Sequence, residues 1–156
     1  MIAAVFADSH GNTARMLQAV RALKPDVLIH LGDYARDADA LREAFPELPL
    51  HVVRGNCDIV SSAPDTAVVE LGGVRVFLAH GHQYGVDWGR LDSLVYAAME
   101  QNARVALYGH THEANVEEIA AVQLMNPGTA GKGRRLSFGV LEVYPNGGVT
   151  TEIRNL

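Results

Sequence analysis

Short continuous apolar runs alternate with helical patterns over the first two thirds of the chain. Ile2–Ala7 is apolar throughout and is closed by polar residues, which predicts a strand buried on both faces. Asn12 or Thr13 suits a helix N-cap. Apolar residues then recur at Met16, Leu17, Val20 and Leu23, the spacing of one helix face, and Lys24-Pro25 ends the pattern. Val27–Leu31 predicts a second strand, Asp37–Phe45 a second helix and Leu50–Arg54 a third strand. Strand, helix, strand, helix, strand implies a parallel sheet with right-handed crossovers.

The middle changes character. Thr66–Leu71 and Val74–Ala79 flank Gly72-Gly73, a two-residue hairpin signal. Leu91, Leu94, Val95, Ala98 and Met99 share one face of a third helix, and Arg104–Tyr108 is another buried strand. The last third is hairpin-like: Asn115–Leu124 alternates weakly, and Leu136–Tyr144 turns through Asn146-Gly147-Gly148 into Val149–Ile153. No repeat, low-complexity segment or linker interrupts the 156 residues. The expected architecture is α/β: two packed sheets of mixed direction with helices outside, in one domain spanning 1–156.

Composition narrows the function classes a little. Hydrophobic residues at 48% and charged residues at 20% fit a globular chain. The formal charge of -5 argues against a broad basic surface for nucleic acid, and bound divalent ions would offset most of it. A lone Cys57 excludes an internal disulfide. The apolar start is short and lacks a basic flank, and no run is long enough to span a bilayer. The expectation is a cytoplasmic protein without a membrane partner.

The chemistry sits where the apolar runs stop. They end in Asp8-Ser9-His10, in Gly32-Asp33, in Gly55-Asn56-Cys57-Asp58, in His80-Gly81-His82 and in Gly109-His110-Thr111-His112. In open α/β sheets ligands bind beyond the carboxyl ends of the strands, so these five clusters can meet on one rim. Residues two apart on extended chain point the same way, which suits Asp8 with His10 and His110 with His112. Glycines before Asp33, Asn56 and His110 let the backbone turn sharply. Singly, each cluster has a bland explanation: Asp8 a helix cap, His80 or His82 a packed imidazole, Asn56 a turn residue. Five of the seven histidines falling at these ends, beside carboxylates, is what favours a metal site.

In order and spacing, these five motifs strongly resemble the calcineurin-like metallophosphoesterase superfamily, and in particular its small prokaryotic phosphodiesterases of the YfcE type. The resemblance runs from Met1 to about the Asn126-Pro127-Gly128-Thr129 segment. It implies a four-layer α/β/β/α sandwich of two mixed sheets flanked by helices. It also implies two ions, one held by Asp8, His10, Asp33 and His112 and the other by Asp33, Asn56, His80 and His110, with Asp33 bridging. Carboxylate, imidazole and one amide suit Mn²⁺, with Ni²⁺, Fe²⁺, Co²⁺ or Zn²⁺ as alternatives. Two ions about 3.5–4 Å apart would activate a bridging hydroxide for in-line attack on phosphorus.

The chain departs from many phosphomonoesterases of the superfamily at one position. Cys57 stands after Asn56, where they carry a histidine that protonates the leaving group. This favours good leaving groups and a small phosphodiester substrate. Asp33, Asn56 and His82 are the catalytic candidates, with His82 read either as a proton donor to the leaving oxygen or as a packed support. Asn56, Cys57 and Arg134 are candidates for substrate contact. Arg54, Lys132 and Arg135 are further basic residues within reach of a phosphate, and Asp58 either orients a metal-bound histidine or finishes the turn. His30 and His51 lie within strands and read as structural. The rival readings are a non-catalytic scaffold resembling the retromer subunit of this family, and a phosphomonoesterase or cyclic-nucleotide phosphodiesterase of the same fold. A homodimer is the expected assembly.

Overall fold

Ten strands and three helices account for the regular structure of residues 1–156 in the computed structural model. β1 (Ile2–Phe6), β2 (Val27–His30) and β3 (Leu50–Val52) run parallel, linked through α1 (Thr13–Leu23) and α2 (Ala38–Ala44). The antiparallel strands β9 (Ser137–Val143) and β10 (Val149–Asn155) complete a sheet of order β10-β9-β1-β2-β3. The second sheet has order β4-β5-β6-β8-β7. In it β5 (Val74–Ala79), β6 (Val105–Leu107) and β8 (Val122–Asn126) are parallel, and β4 (Thr66–Leu71) and β7 (Asn115–Ile119) are antiparallel edges. α3 (Asp92–Glu100) lies between β5 and β6 in sequence. No helix is long and apolar enough to cross a membrane.

Strand periodicity explains the unbroken apolar runs. On β1, Ala3 and Val5 enter the core between the sheets with Val76, Leu78 and Leu107 of the facing sheet. Ala4 and Phe6 point the other way, into a second core with Met16 and Val20 of α1 and Leu41 of α2. β5 and β6 likewise send Phe77 and Ala106 outward, under Leu94, Val95 and Ala98 of α3. Each central strand is thus buried on both faces, giving the α/β/β/α layering.

Four local details refine or change these expectations. Within the hairpin-like last third, the weakly alternating Asn115–Leu124 holds β7 and the start of β8, turning at Ala120 (φ 50°) and Ala121 (φ 63°). Both turn residues are left-handed, a conformation usually announced by Asn or Gly, so two alanines conceal the turn. α2 begins at Ala38, after a 3₁₀ turn over Ala35–Asp37. Met99 is 47% exposed instead of facing the sheet. Asn12 precedes α1 without capping it, because its side-chain amide donates to Ala130 O at 3.3 Å.

Candidate metal centre

All six parallel strands deliver a polar cluster at the carboxyl end, and β8 adds one the sequence reading left unassigned. Its last residue, Asn126, is fully buried and donates to Gly109 O (2.9 Å) and Thr111 Oγ1 (3.0 Å), bracing the loop that carries His110 and His112. The following Thr129 donates its hydroxyl to Asp8 O (2.9 Å), and Ala130 N donates to Ala7 O (2.9 Å). The Asn126–Thr129 segment is therefore a buttress for the first ligand loop.

Two groups of side chains converge on the rim. Asp8, His10, Asp33 and His112 present ligand atoms within 4.8 Å of one another, as do Asp33, His80 and His110, so Asp33 belongs to both. His112 Nε2 lies 3.2 Å from Asp8 Oδ1, and His80 Nε2 lies 3.4 Å from Asp33 Oδ1 and 3.9 Å from Asp8 Oδ1. Asp8, His10, Asp33, His110 and His112 all adopt positive φ, between 45° and 71°. Non-glycine residues pay about 1–3 kcal/mol each for such backbone, and it persists only where neighbours over-determine it. Here Asp8 N donates to Gly32 O (3.0 Å), His110 N to Asp8 Oδ2 (3.0 Å) and Cys57 N to Asp33 Oδ1 (2.9 Å).

The glycines act differently from one another. Gly32, at φ 94°, makes the sharp turn expected of it. Gly55 is needed for close approach, since a Cβ there would collide with Asp33 Oδ1.

The supporting hydrogen bonds fix which nitrogen each histidine offers. His80 Nδ1 donates to Leu31 O at 2.8 Å, which leaves Nε2 toward Asp33 and Asp8. His110 Nε2 pairs with Asp87 at 2.8 Å, which leaves Nδ1 as its free nitrogen. Asp87 has no sequence signal beyond being acidic. A carboxylate behind a ligating imidazole orients the ring and raises its basicity.

Burial divides the charges sharply. Asp8 is pushed up to about 7 by burial and by neighbouring Asp33, against the pull of His80. Burial also favours the neutral form of Asp33, yet the neighbouring His80 imidazole and a hydrogen bond from the Cys57 N–H hold it well below the usual carboxylate range. His80 is raised: the two aspartates outweigh its burial. His82 and His112 are lowered, first by burial and then by neighbouring imidazoles. Asp8 Oδ1, His10 Nε2 and His80 Nε2 are buried without any hydrogen-bond partner, as is His82 Nδ1. Unpaired buried polar atoms are costly. Three of these four belong to the two ligand groups, and a divalent cation in each group would give all three a partner, so the residues present fit a metal site.

The remaining candidates are placed less closely. Asn56 is exposed, with its amide nitrogen 3.6 Å from Cys57 Sγ, in the loop whose Cys57 N–H bonds Asp33. The His82 ring lies 5.5 Å from His80 and 6.0 Å from His110. Arg134, Lys132 and Arg135 are exposed on the segment that follows Thr129, and Lys132 is near enough to His112 to help lower its pKa. Arg54 is engaged in a two-pronged pair with Asp65 (2.6 and 3.1 Å). Asp58 accepts from Gly55 N (2.8 Å) and Ala35 N (2.9 Å), which makes it a tie between loops rather than a support for a histidine.

Comparison with known proteins agrees with this geometry. The family model described as the calcineurin-like phosphoesterase superfamily domain matches residues 1–144. The probable metallophosphoesterase YsnB of Bacillus subtilis is 30% identical over 128 residues, covering 80% of this chain and 72% of that protein. A crystal structure of a predicted phosphoesterase from Streptococcus pneumoniae has a TM-score of 0.77 at 24% identity, covering 99% and 97% of the two chains. Vps29 from Entamoeba histolytica, crystallised with zinc, has a TM-score of 0.78 at 22% identity and 99% coverage of both chains. These last two establish likeness of fold.

Proposed function

We infer that this chain, which belongs to the calcineurin-like phosphoesterase superfamily, is a metal-dependent phosphodiesterase with two ion positions that share Asp33. The observation that carries the reading is the pair of ligand groups meeting at Asp33, with buried ligand atoms left unpartnered in both. Asp8, His10, Asp33 and His112 would hold one divalent transition-metal ion, and Asp33, His80, His110 and Asn56 the other, with Mn²⁺ first among the candidates. Such ions supply Lewis acidity toward the phosphoryl oxygens and lower the pKa of water.

The chain's own residues do the rest. Asp33, kept anionic by His80 and the Cys57 N–H, places its charge between the two positions. Asp87 fixes the His110 ring, and Leu31 O fixes His80. The preference for a diester rests on Cys57. Burial, a hydrogen bond to Asp33 and nearby carboxylates push its thiol up, so it keeps its proton and is a poor acid toward a leaving alkoxide. His82 is neutral near pH 7 for the reasons above, and its role in this reading is to hydrogen-bond the departing ester oxygen.

A second reading, a non-catalytic module, draws on the likeness of fold to Vps29. The full set of competent ligands favours the enzyme. The test is to strip the protein with a chelator and assay bis-p-nitrophenyl phosphate beside p-nitrophenyl phosphate, with and without Mn²⁺, for the wild type and His112→Ala. Metal-restored turnover of the diester, weak on the monoester and lost in the variant, is expected. Metal binding with no turnover by any transition ion would replace the enzyme by the scaffold.

A further inference from the structure

A cleft of about 830 Å³ opens from the metal centre at His10 and Cys57 and runs between two walls. One wall is the 3₁₀ turn and α2, with Tyr34, Arg36 and Arg42; the other is the loop after β3, with Val60, Ser61 and Ser62. Tyr34 follows Asp33 directly and is itself held at φ 67°, a strained conformation for a tyrosine. That backbone sets its ring 4.8 Å from the His10 ring, and the Arg36 guanidinium lies over it at 5.1 Å. The Arg42 guanidinium is paired with Asp39, whereas Arg36 has no carboxylate partner and is exposed. Across the cleft Val60 is 99% exposed, an apolar side chain left in water at the edge of the candidate site.

These features select among ester arms. Arg36 and Arg42 are offset by Asp39 and Asp58 in the same lining, so the cleft is close to neutral and does not ask for a second anion. The serines and charged groups interrupt the apolar surface, which excludes a long acyl chain. A guanidinium stacked on a tyrosine offers a flat, polarisable tier of the kind on which planar rings stack. We propose that this cleft seats one ester arm of the substrate, and that the arm is neutral, planar and of nucleoside size, lying between the Arg36–Tyr34 tier and Val60. This rests on the phosphodiesterase reading and deepens it by naming the substrate class.

The experiment compares two diesters with one leaving group, thymidine 5′-(p-nitrophenyl phosphate) and methyl p-nitrophenyl phosphate, on the Mn²⁺-loaded protein. Wild type is expected to favour the thymidine ester in kcat/KM by about tenfold or more, the scale of one stacked base. Arg36→Ala and Val60→Asp, both at exposed positions, are expected to bring that ratio to within about twofold of unity. A wild-type ratio near unity, or one unchanged in both variants, overturns the subsite. Calorimetric binding of thymidine 5′-phosphate against methyl phosphate gives the same comparison without turnover. Preferred binding of the nucleotide, lost in Arg36→Ala, with no diester hydrolysed, keeps the subsite and removes the catalytic reading. Hydrolysis of both diesters at equal efficiency removes the subsite and keeps that reading.

Discussion

Ser9 Oγ lies 3.0 Å from His30 Nε2, and neither side chain reaches solvent. His30 Nδ1 accepts from Gly32 N at 3.2 Å, so Nε2 carries the proton and donates to Ser9, whose hydroxyl donates to Asp37 Oδ2 at 2.7 Å. Asp37 Oδ2 also accepts from Gly11 N at 2.6 Å. The chain of bonds ties the loop holding Asp8 and His10 to the loop holding Asp33, and both loops contain strained backbone.

Ser9→Ala removes the centre of this chain and leaves His30 and Asp37 buried without each other's support. The expected loss of stability is about 1–3 kcal/mol by urea denaturation of the metal-free protein. The same variant is expected to weaken Mn²⁺ binding by about tenfold in calorimetry, because the ligand loops are no longer held in register. Undiminished metal affinity in a destabilised protein would show that the network serves the fold alone.

Asp87 acts on the site from outside it. Asp87→Ala leaves the His110 ring free to rotate, and the Asp87 side chain is exposed enough for the fold to be indifferent. Metal affinity or diester turnover should fall by about 10–100-fold with an unchanged thermal midpoint. Recovery of part of that loss in Asp87→Asn, which can still accept a hydrogen bond, would separate orientation from charge.

Much of the frame was legible because buried strands announce themselves by apolar runs, and the carboxyl ends of parallel strands must share a rim. Five clusters could be assigned to that rim from spacing alone. The hairpin-like character of the last third was legible, but the position of the β7–β8 turn was not, because Ala120 and Ala121 carry no turn chemistry, and with it went the strand end at Asn126. His30 read as structural, which is true of its burial, but its partners Ser9 and Asp37 lie far from it in sequence and share no pattern with it. Asp87 is one acid among many until its distance to His110 is known. Nothing in the sequence singles out Tyr34; only its left-handed backbone turns it into a wall of the cleft.

Two buried groups make opposite contributions to the pH dependence of the metal-free protein. Asp8 is raised from 3.8 to about 7, so the folded state binds its proton more tightly than the unfolded chain. Its contribution is fully present below pH 3.8 and is lost as pH rises through 7. His30 is lowered from 6.5 to about 4 by its burial, so its contribution is present above pH 6.5 and is lost as pH falls through 4. Between about pH 4 and 6.5 the two slopes oppose each other, and stability should vary little. Asp8→Asn removes one of them. Metal-free Asp8→Asn is expected to lose on the order of 3 kcal/mol on acidification through that window, the linkage of a shift of this size. At pH 8 it should melt several degrees above wild type, having no buried carboxylate to ionise, while failing to bind Mn²⁺. A wild type that acid-destabilises as steeply as the variant would refute the pairing.

Cys57 tests the leaving-group argument from the opposite direction. The residue is exposed, so a larger imidazole fits without disturbing the core, and its backbone N–H to Asp33 is independent of the side chain. Its raised thiol is a poor acid at neutral pH, so wild-type turnover should fall steeply as the leaving alcohol becomes more basic. Cys57→His introduces a proton donor titrating near neutrality, a contribution of about 10²–10⁴-fold where it reaches the leaving oxygen. The expected outcome is a flatter dependence of rate on leaving-group pKa, with phenyl phosphate gaining at least tenfold relative to p-nitrophenyl phosphate. Rates would also fall on the alkaline side, as the introduced imidazole loses its proton, a dependence absent from the wild type. If the variant keeps the wild-type slope, Cys57 does not face the leaving group, and the preference for diesters must come from the cleft.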